Sequence, residues 1–280
     1  MENKLNHLPD KSRQAVTKFA RALIETFGTK LYSLLLFGSA AQSTGSDMDG
    51  FKEGVSDINT AIILENVTTN DLNMISNIGR KFKKSGLAIP LVFKRGHVLS
   101  SLDTFPLEFF DMKQNHILLH GTDPLAEAVI ETGNLRHQCE TQFKSQLVQL
   151  RRGYLAAGEN HEAITALITS SVTSIMAACR GMAFLAGKTP PENKTDLLKM
   201  IQDDYDIDIS AIDEAWRLKR GEKDESTATL EILFDKYLIA IEKLAGGGQD
   251  VISPASEYLS IRKYNRDQVI SFSQFSIILG

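Results

Sequence analysis

The fold of this chain is decided by two segments, LYSLLLFGSAAQ at residues 31–42 and SDINTAIIL at residues 56–64. Each contains a short, nearly continuous apolar run, which is typical of a buried strand. Gly38 and Ser39 end the first run, where a glycine lets the backbone turn sharply and approach a ligand closely. The pattern therefore predicts a strand, a tight turn, a polar loop and a second strand.

The polar residues around these strands suit a nucleoside triphosphate with magnesium. Backbone amides at a helix start after Gly38, assisted by the Ser39 hydroxyl, would receive the triphosphate. Asp57 and Asn59 open the second strand and share one face, because strand side chains alternate. From there they would hold the Mg²⁺ ions that align an in-line attack on the α-phosphate. We expect Asp57 to be the principal metal ligand, since Asn59 offers a carbonyl oxygen but no negative charge.

This arrangement resembles the signature of the DNA polymerase beta-type nucleotidyltransferases: an apolar residue, Gly-Ser, a spacer, then acid, apolar, acid. The stretches LDTFPLEFFDMKQNHILLHGTDPL at 102–125 and LRHQCETQFKSQLVQLRRGYL at 135–155 are similar to bacterial nucleotidyltransferase-like proteins with a helical C-terminal domain. That is the layout of the aminoglycoside nucleotidyltransferases, and some such proteins have no established activity. The resemblance covers most of residues 10–245. It implies an α/β (α+β) N-terminal domain with a mixed sheet, followed by an all-α helical bundle.

The chain departs from the family pattern in its acids. Asn59 stands where the resemblance implies a second acid, and the predicted strand at 88–93 lacks the implied third one. The spacer before Asp57 is also long, so the triplet Asp47-Met48-Asp49 is an alternative register. The residues after that triplet, GFKEG, do not suit a buried strand, whereas TAIIL after Asn59 does. We therefore prefer Asp57 as the motif position.

Three further side chains are candidates for the same site. Glu108 is the candidate for the missing third acid, with Asp111 as the alternative. In that role Glu108 would activate an acceptor hydroxyl. Lys94 and Arg95 directly follow the third predicted strand. Since a strand end in this fold can face the triphosphate, we assign both to phosphate binding.

The apolar periodicity divides the chain into two halves and a tail. Residues 1–122 form the nucleotidyltransferase-like domain, residues 123–245 the helical bundle, and residues 246–280 a glycine linker with an uncertain tail. In the first half we predict helices at 11–27 and 70–84 and strands at 31–37, 58–64, 88–93 and 115–119. In the second half we predict helices at 135–157, 161–185, 194–203 and 227–244.

Composition limits the classes of partner. A formal net charge of −4 argues against general nucleic-acid binding, which needs an excess of Lys and Arg. Two cysteines do not make a disulfide framework or a zinc site. No signal peptide is visible, and no window approaches the roughly 20 apolar residues that span a bilayer. We therefore expect a cytoplasmic protein without membrane contacts.

Three functions remain open from the sequence. The first is an enzyme that transfers a nucleoside monophosphate to a hydroxyl of a small molecule or protein. The second is a catalytically degenerate nucleotide sensor, because one dependable carboxylate neutralises a pair of divalent cations poorly. The third is an interaction protein without a nucleotide role, a homodimer through its helical half.

Overall fold

The computed structural model describes residues 2–42, 51–54, 56–222 and 227–247. The strands are β1 (Leu31–Phe37), β2 (Asn59–Leu64), β3 (Leu91–Lys94) and β4 (His116–Gly121). The α-helices are α1 (Asp10–Phe27), α2 (Thr69–Arg80), α3 (Arg95–Ser100), α4 (Pro106–Gln114), α5 (Thr132–Ala157), α6 (His161–Leu185), α7 (Lys194–Tyr205), α8 (Ser210–Lys219) and α9 (Thr227–Gly247). The loop acids Asp47 and Asp49 and the tail from residue 248 lie outside the described residues.

The four strands form one mixed sheet in the order β3-β2-β1-β4. β1 runs antiparallel to both β2 and β4, whereas β2 and β3 are parallel. Phe37 pairs with Asn59 on one side and His116 on the other. The end of β1 and the starts of β2 and β4 therefore lie together at one edge of the sheet, which we call the cleft edge.

Helices cover both faces of the sheet, which explains why β1 and β2 are nearly continuous apolar runs. On one face, Leu34 and Leu36 of β1 pack with buried residues of α1 and α2. On the other face, Leu35 and Ile63 pack with buried residues of α3 and α4. Successive side chains of β1 therefore point to opposite faces of the sheet and pack in two separate apolar clusters.

The second half of the chain is helical, with α6 at its centre. Ile164, Ile168, Val172 and Ile175 of α6 are fully buried, and α4, α5, α7, α8 and α9 supply most of the rest of this core. Among the described helices, α6 alone is long and apolar enough to cross a membrane by length and composition. The sequence analysis expected no segment long and apolar enough to span a bilayer, and α6 corrects that expectation. The apolar side chains of α6 form the core of the helical half, which accounts for its composition.

The strands and the long helices match the sequence prediction to within a few residues, and three short helices were not predicted. Helices α3, α4 and α8 were not predicted as separate helices, because none is longer than 10 residues and their apolar periodicity is too brief to read. α4 contributes Leu107 to the helical core and Phe109 to the sheet core. Since α4 packs on both halves, the domain boundary near residue 122 stays a prediction.

Candidate functional site

A cleft of about 290 Å³ lies between the cleft edge of the sheet and the helical half. Its walls are formed by Phe37, Gly38, Ser39, Gln42, Lys52, Ser56, Asp57, Asn59, Asp111, Thr173, Met176, Arg180, Lys194, Trp216, Lys219 and Arg220. Four residues that the sequence assigned to a site, Gly38, Ser39, Asp57 and Asn59, meet here. Glu108, Lys94 and Arg95 do not line the cleft.

Gly38 makes the turn that carries the chain from β1 into the cleft wall. Its φ of 72° lies in the left-handed region that glycine adopts easily. A Cβ at this position would lie 3.5 Å from Asn59 Nδ2, so the backbone and the asparagine amide are close. The Gly38 amide donates to the Asn115 carbonyl at 3.2 Å, which joins the turn to the chain just before β4.

The turn does not lead into the helix that the sequence predicted for phosphate binding. Residues Gly38–Ala41 form a single 3-10 turn, and Gln42 is already extended. The four residues are too few to present the aligned amides of an α-helix start. The turn therefore does not present the row of helix-start amides that the sequence predicted.

Asp57 and Asn59 take the positions that strand alternation predicts. Both line the cleft, and Ile58 between them is fully buried. Ile58 donates its amide to the Gly86 carbonyl at 2.9 Å and accepts from Ala88 at 3.1 Å. These bonds tie the start of β2 to the chain that leads into β3, and so fix the direction of the two polar side chains.

The strand beside β2 supplies no third carboxylate. Ala61 pairs with Leu91 in the parallel register, so Ile89 and Leu91 lie beside the polar start of β2. Both are apolar, and Ile89 is 94% exposed. The sequence has no acid at 88–93, and in the structure these residues run beside the start of β2.

The two acids of α4 differ in position. Asp111 lines the cleft, whereas Glu108 is exposed outside it and accepts a hydrogen bond from Gln138. Glu108 and Asp111 are three residues apart on α4. The apolar side chains of α4 pack on both cores, and Glu108 is left exposed to solvent. The structure thus gives no cleft position to Glu108 as an acceptor-activating acid, and Asp111 is the acid of α4 that reaches the cleft.

Lys94 and Arg95 lie at the opposite edge of the sheet from Gly38. β3 runs parallel to β2, and Lys94 pairs with Leu64 at the far end of β2. Arg95 forms an ion pair with Glu65 at 2.9 Å and lies over the ring of Tyr32. The sequence interpretation failed here because it took the end of β3, rather than its start, to face the cleft.

Cationic side chains from the helical half and one loop dominate the cleft. Among the described residues, its lining contains the five cations Lys52, Arg180, Lys194, Lys219 and Arg220 and the two acids Asp57 and Asp111. Arg220 also forms an ion pair with Glu222. Arg180 Nε donates to Asp111 Oδ1 at 2.6 Å, which joins α6 to α4. Lys52 Nζ donates to the Arg220 carbonyl at 3.3 Å and so links the loop of the first half to the end of α8.

Two lysines of this wall have distinctive surroundings. Lys194 is only 7% exposed, and its ammonium lies 4.4 Å from the ring centre of Trp216. Lys219, the last residue of α8, donates to Thr173 Oγ1 at 2.5 Å. Burial lowers the pKa of Lys219 from its ordinary value, and the negative charge of Asp57 opposes that shift.

The described residues do not fit a pair of magnesium ions. Asp57 supplies one carboxylate and Asn59 one amide oxygen, whereas Asp111 is paired with Arg180. Within residues 2–42, 51–54, 56–222 and 227–247, no three His, Cys, Asp or Glu side chains cluster as a metal site. The neighbouring lysine and arginine charges further oppose a divalent cation.

Sequence reasoning missed the cations of the helical half, although Arg180 left a signal, and so did the neighbouring Trp216. Arg180 interrupts the apolar run SIMAACRGMAFL, and a charge on a buried helix face requires a partner. Trp216 is the one tryptophan of the chain. Lys194 and Lys219 carry no comparable signal, because their positions in the cleft come from helix packing alone.

Comparison with known proteins supports the architecture. No family model matches this chain, and no curated protein matches it. Among solved structures, the chain is similar to spectinomycin adenyltransferase AAD(9) from Enterococcus faecialis, whose crystal structure contains ATP and spectinomycin. The TM-score is 0.54 at 12% sequence identity, over 85% of this chain and 99% of the AAD(9) chain. The chain therefore has an AAD(9)-like nucleotidyltransferase fold, in which a mixed four-stranded sheet with helices is followed by an all-helical part.

Proposed function

We propose that this protein binds a nucleoside triphosphate in the cleft between the sheet edge and the helical half. The observation that carries the proposal is the charge of the described cleft wall, which contains five cationic and two acidic side chains. Lysine and arginine side chains bind phosphate oxygens through charge-assisted hydrogen bonds. An excess of positive charge in a cavity of about 290 Å³ suits a small polyphosphate.

The proposed pose uses both halves of the chain. The triphosphate lies along the turn at Gly38 and Ser39, where a backbone without a side chain permits a close approach. Lys194 and Arg220 reach the phosphates from the opposite wall, and Arg220 keeps its ion pair with Glu222. The partly exposed ring of Trp216 offers an apolar surface to the nucleoside, and bases stack on such rings with little sequence preference.

The test is calorimetric titration of ATP, GTP, CTP and UTP into the wild-type protein and two variants of α7. Lys194→Met removes a cation from the cleft, whereas Lys199→Met removes an exposed lysine of the same helix outside the cleft. We expect saturable binding to weaken about tenfold in Lys194→Met, in line with about 1.5 kcal/mol for a charge-assisted hydrogen bond, and to persist in Lys199→Met. Equal affinity in the two variants, or no binding to wild type, would overturn the proposal.

Nucleotidyl transfer is a second candidate, favoured by the position of Asp57 in the cleft lining at the start of β2. The acceptor would be a hydroxyl of a small molecule, and an aminoglycoside is the natural first choice because AAD(9) was solved with spectinomycin. The assay follows pyrophosphate release from each nucleoside triphosphate with magnesium and a panel of aminoglycosides. Turnover that Asp57→Ala abolishes would support transfer, and release no faster than in Asp57→Ala would exclude it for that panel.

A further inference from the structure

We propose that two copies of this chain associate through the outer side of α5 and α9, which we call the α5–α9 face. Its apolar side chains are each more than half exposed, and they are Val148 and Leu155 of α5 and Ile232 and Ile239 of α9. Among the described residues, α5 and α9 contribute nothing to the cleft lining. The proposal therefore goes beyond nucleotide binding and concerns assembly.

The exposed apolar side chains recur every seventh residue on both helices. Val148 and Leu155 are seven residues apart, as are Ile232 and Ile239. Seven residues make about two turns of an α-helix, so each pair lies on one side of its helix. On α9 that side is opposite Tyr237, which is fully buried in the helical core. A single exposed apolar residue is ordinary, but this repeat on two adjacent helices is typical of a face that packs on other helices.

Helices α5 and α9 pack against each other in antiparallel directions. Near the end of α5, the rings of Tyr154 and Phe234 stack with their centroids 4.7 Å apart. Closer to the start of α5, Phe143 lines a small cavity together with Leu244 near the end of α9. Residue numbers therefore fall along α5 as they rise along α9, with the same rise per residue in both helices.

This register sets the two apolar pairs side by side. Counted from the ring stack, Leu155 is level with Ile232, and Val148 with Ile239, to within about one residue. The two levels are about 10 Å apart along each helix, and packed helix axes lie about 8–10 Å from each other. The four side chains therefore mark the corners of a nearly square patch.

A two-fold axis parallel to the helices, through the centre of this patch, makes the patch complementary to itself. It places α5 of each copy on α9 of the other at the same level, so Leu155 meets Ile232 of the second copy, and Val148 meets Ile239. A face about 30 Å long and about 20 Å wide buries about 600 Å² per copy, which is at the low end for specific interfaces. We therefore expect a reversible dimer.

Charges between the two apolar levels favour the same arrangement. Arg152 is level with Asp235 to within about one residue, and both are exposed. The parallel axis brings Arg152 of one copy to Asp235 of the other, whereas an axis perpendicular to the helices would bring the two Arg152 guanidinium groups together. Lys236 is turned about 100° further around α9, away from the Arg151–Glu242 ion pair that joins the two helices. Charge complementarity therefore selects the parallel axis, with a second copy as the occupant.

The experiment is sedimentation velocity on the full chain over a concentration series. We expect the mass of wild type to rise from that of one chain toward that of two. Leu155→Glu should raise the dissociation constant at least about tenfold, because the dimer would bury an unpaired carboxylate. Leu99→Glu is the matched control, since Leu99 is an exposed leucine of α3 outside the face, and it should dimerise like wild type.

A charge exchange tests the orientation and does not depend on Leu155→Glu folding. Arg152→Glu should weaken the dimer, and the double variant Arg152→Glu/Asp235→Arg should restore it, because only the exchange returns opposite charges to the contact. A double variant as weak as Arg152→Glu, a dimer that Leu155→Glu leaves intact, or a wild type that stays monomeric at its highest soluble concentration would overturn the proposal. A monomeric wild type that Leu155→Glu destabilises and Leu99→Glu does not would assign the face to another segment of the same chain, which also overturns it.

Discussion

A single glycine sets the path of the chain into the cleft. Gly38 has a φ of 72°, and its amide bonds to Asn115, so the turn is fixed between β1 and β4. The space around it is less restrictive, since an added Cβ would meet Asn59 Nδ2 at the ordinary contact distance of 3.5 Å. The requirement for glycine here is therefore conformational rather than steric.

Gly38→Ala should lower the free energy of unfolding by about 1 kcal/mol, because the left-handed conformation is costly for a residue with a Cβ. Gly79→Ala is the control, since Gly79 lies inside α2 with no atom within 4 Å of an added Cβ. In that helical position alanine should be neutral or stabilising, by up to about 1 kcal/mol. Urea unfolding of both variants measures the difference, and equal effects would show that the turn carries no strain.

At the scale of an element, Asp71 stabilises the start of helix α2. Thr68 and Asp71 form a capping box, in which each side chain bonds to the other's backbone amide. Asp71 is also held by Lys30, whose ammonium donates to both carboxylate oxygens at 2.6 Å. The hydrogen bond from Lys30, followed by that from Thr68, holds the pKa of Asp71 below its ordinary value.

Stability should therefore depend on pH through Asp71. A carboxyl whose pKa is lower in the folded state stabilises the protein fully above the unfolded pKa of about 4, and this contribution is lost as pH falls through the folded pKa. Asp71→Asn should have a lower free energy of unfolding than wild type at neutral pH, and this difference between the two proteins should become smaller in acid. Urea unfolding across pH measures the gap, with Asp203→Asn as the exposed control. A gap that is constant with pH would contradict this account.

The contact between α4 and α6 depends on the Arg180–Asp111 pair. Arg180→Met leaves the Asp111 carboxylate partly buried without its cation, so we expect a loss of about 3 kcal/mol in unfolding free energy. The double variant Asp111→Asn/Arg180→Met should lose less than the sum of the two single variants, because it leaves no unpaired charge. A double-mutant cycle by chemical denaturation measures this coupling, and additive losses would contradict a direct pair.

Elements whose pattern is local could be predicted from the sequence. The buried runs of β1 and β2, the glycine turn and the alternation of Asp57 and Asn59 all depend on residues close together in the chain. The placement of Lys94 and Arg95 failed because it depends on the parallel pairing of β2 with β3, which a single strand does not reveal. Glu108 and Asp111 could not be separated, because the faces of the short helix α4 are set by packing on two cores.

The whole molecule combines a sheet edge that the sequence predicts with a helical wall that it does not. Lys194 and Lys219 reach the cleft from α7 and α8, more than 130 residues after Ser39. Only the packing of those helices around α6 brings the lysines opposite the turn. The charge of the cleft, and with it the nucleotide-binding proposal, is consequently a property of tertiary structure.

The most direct test of nucleotide binding in this cleft uses the one tryptophan of the chain, Trp216, as a probe. Because Trp216 lines the cleft, its fluorescence is sensitive to binding at that site. The account predicts a saturable change in emission on titration with ATP, at the concentrations where calorimetry detects binding, that is weakened in Lys194→Met and retained in Lys199→Met. Calorimetric binding without any change in Trp216 emission would place the nucleotide elsewhere, and no binding by either method would contradict the central claim.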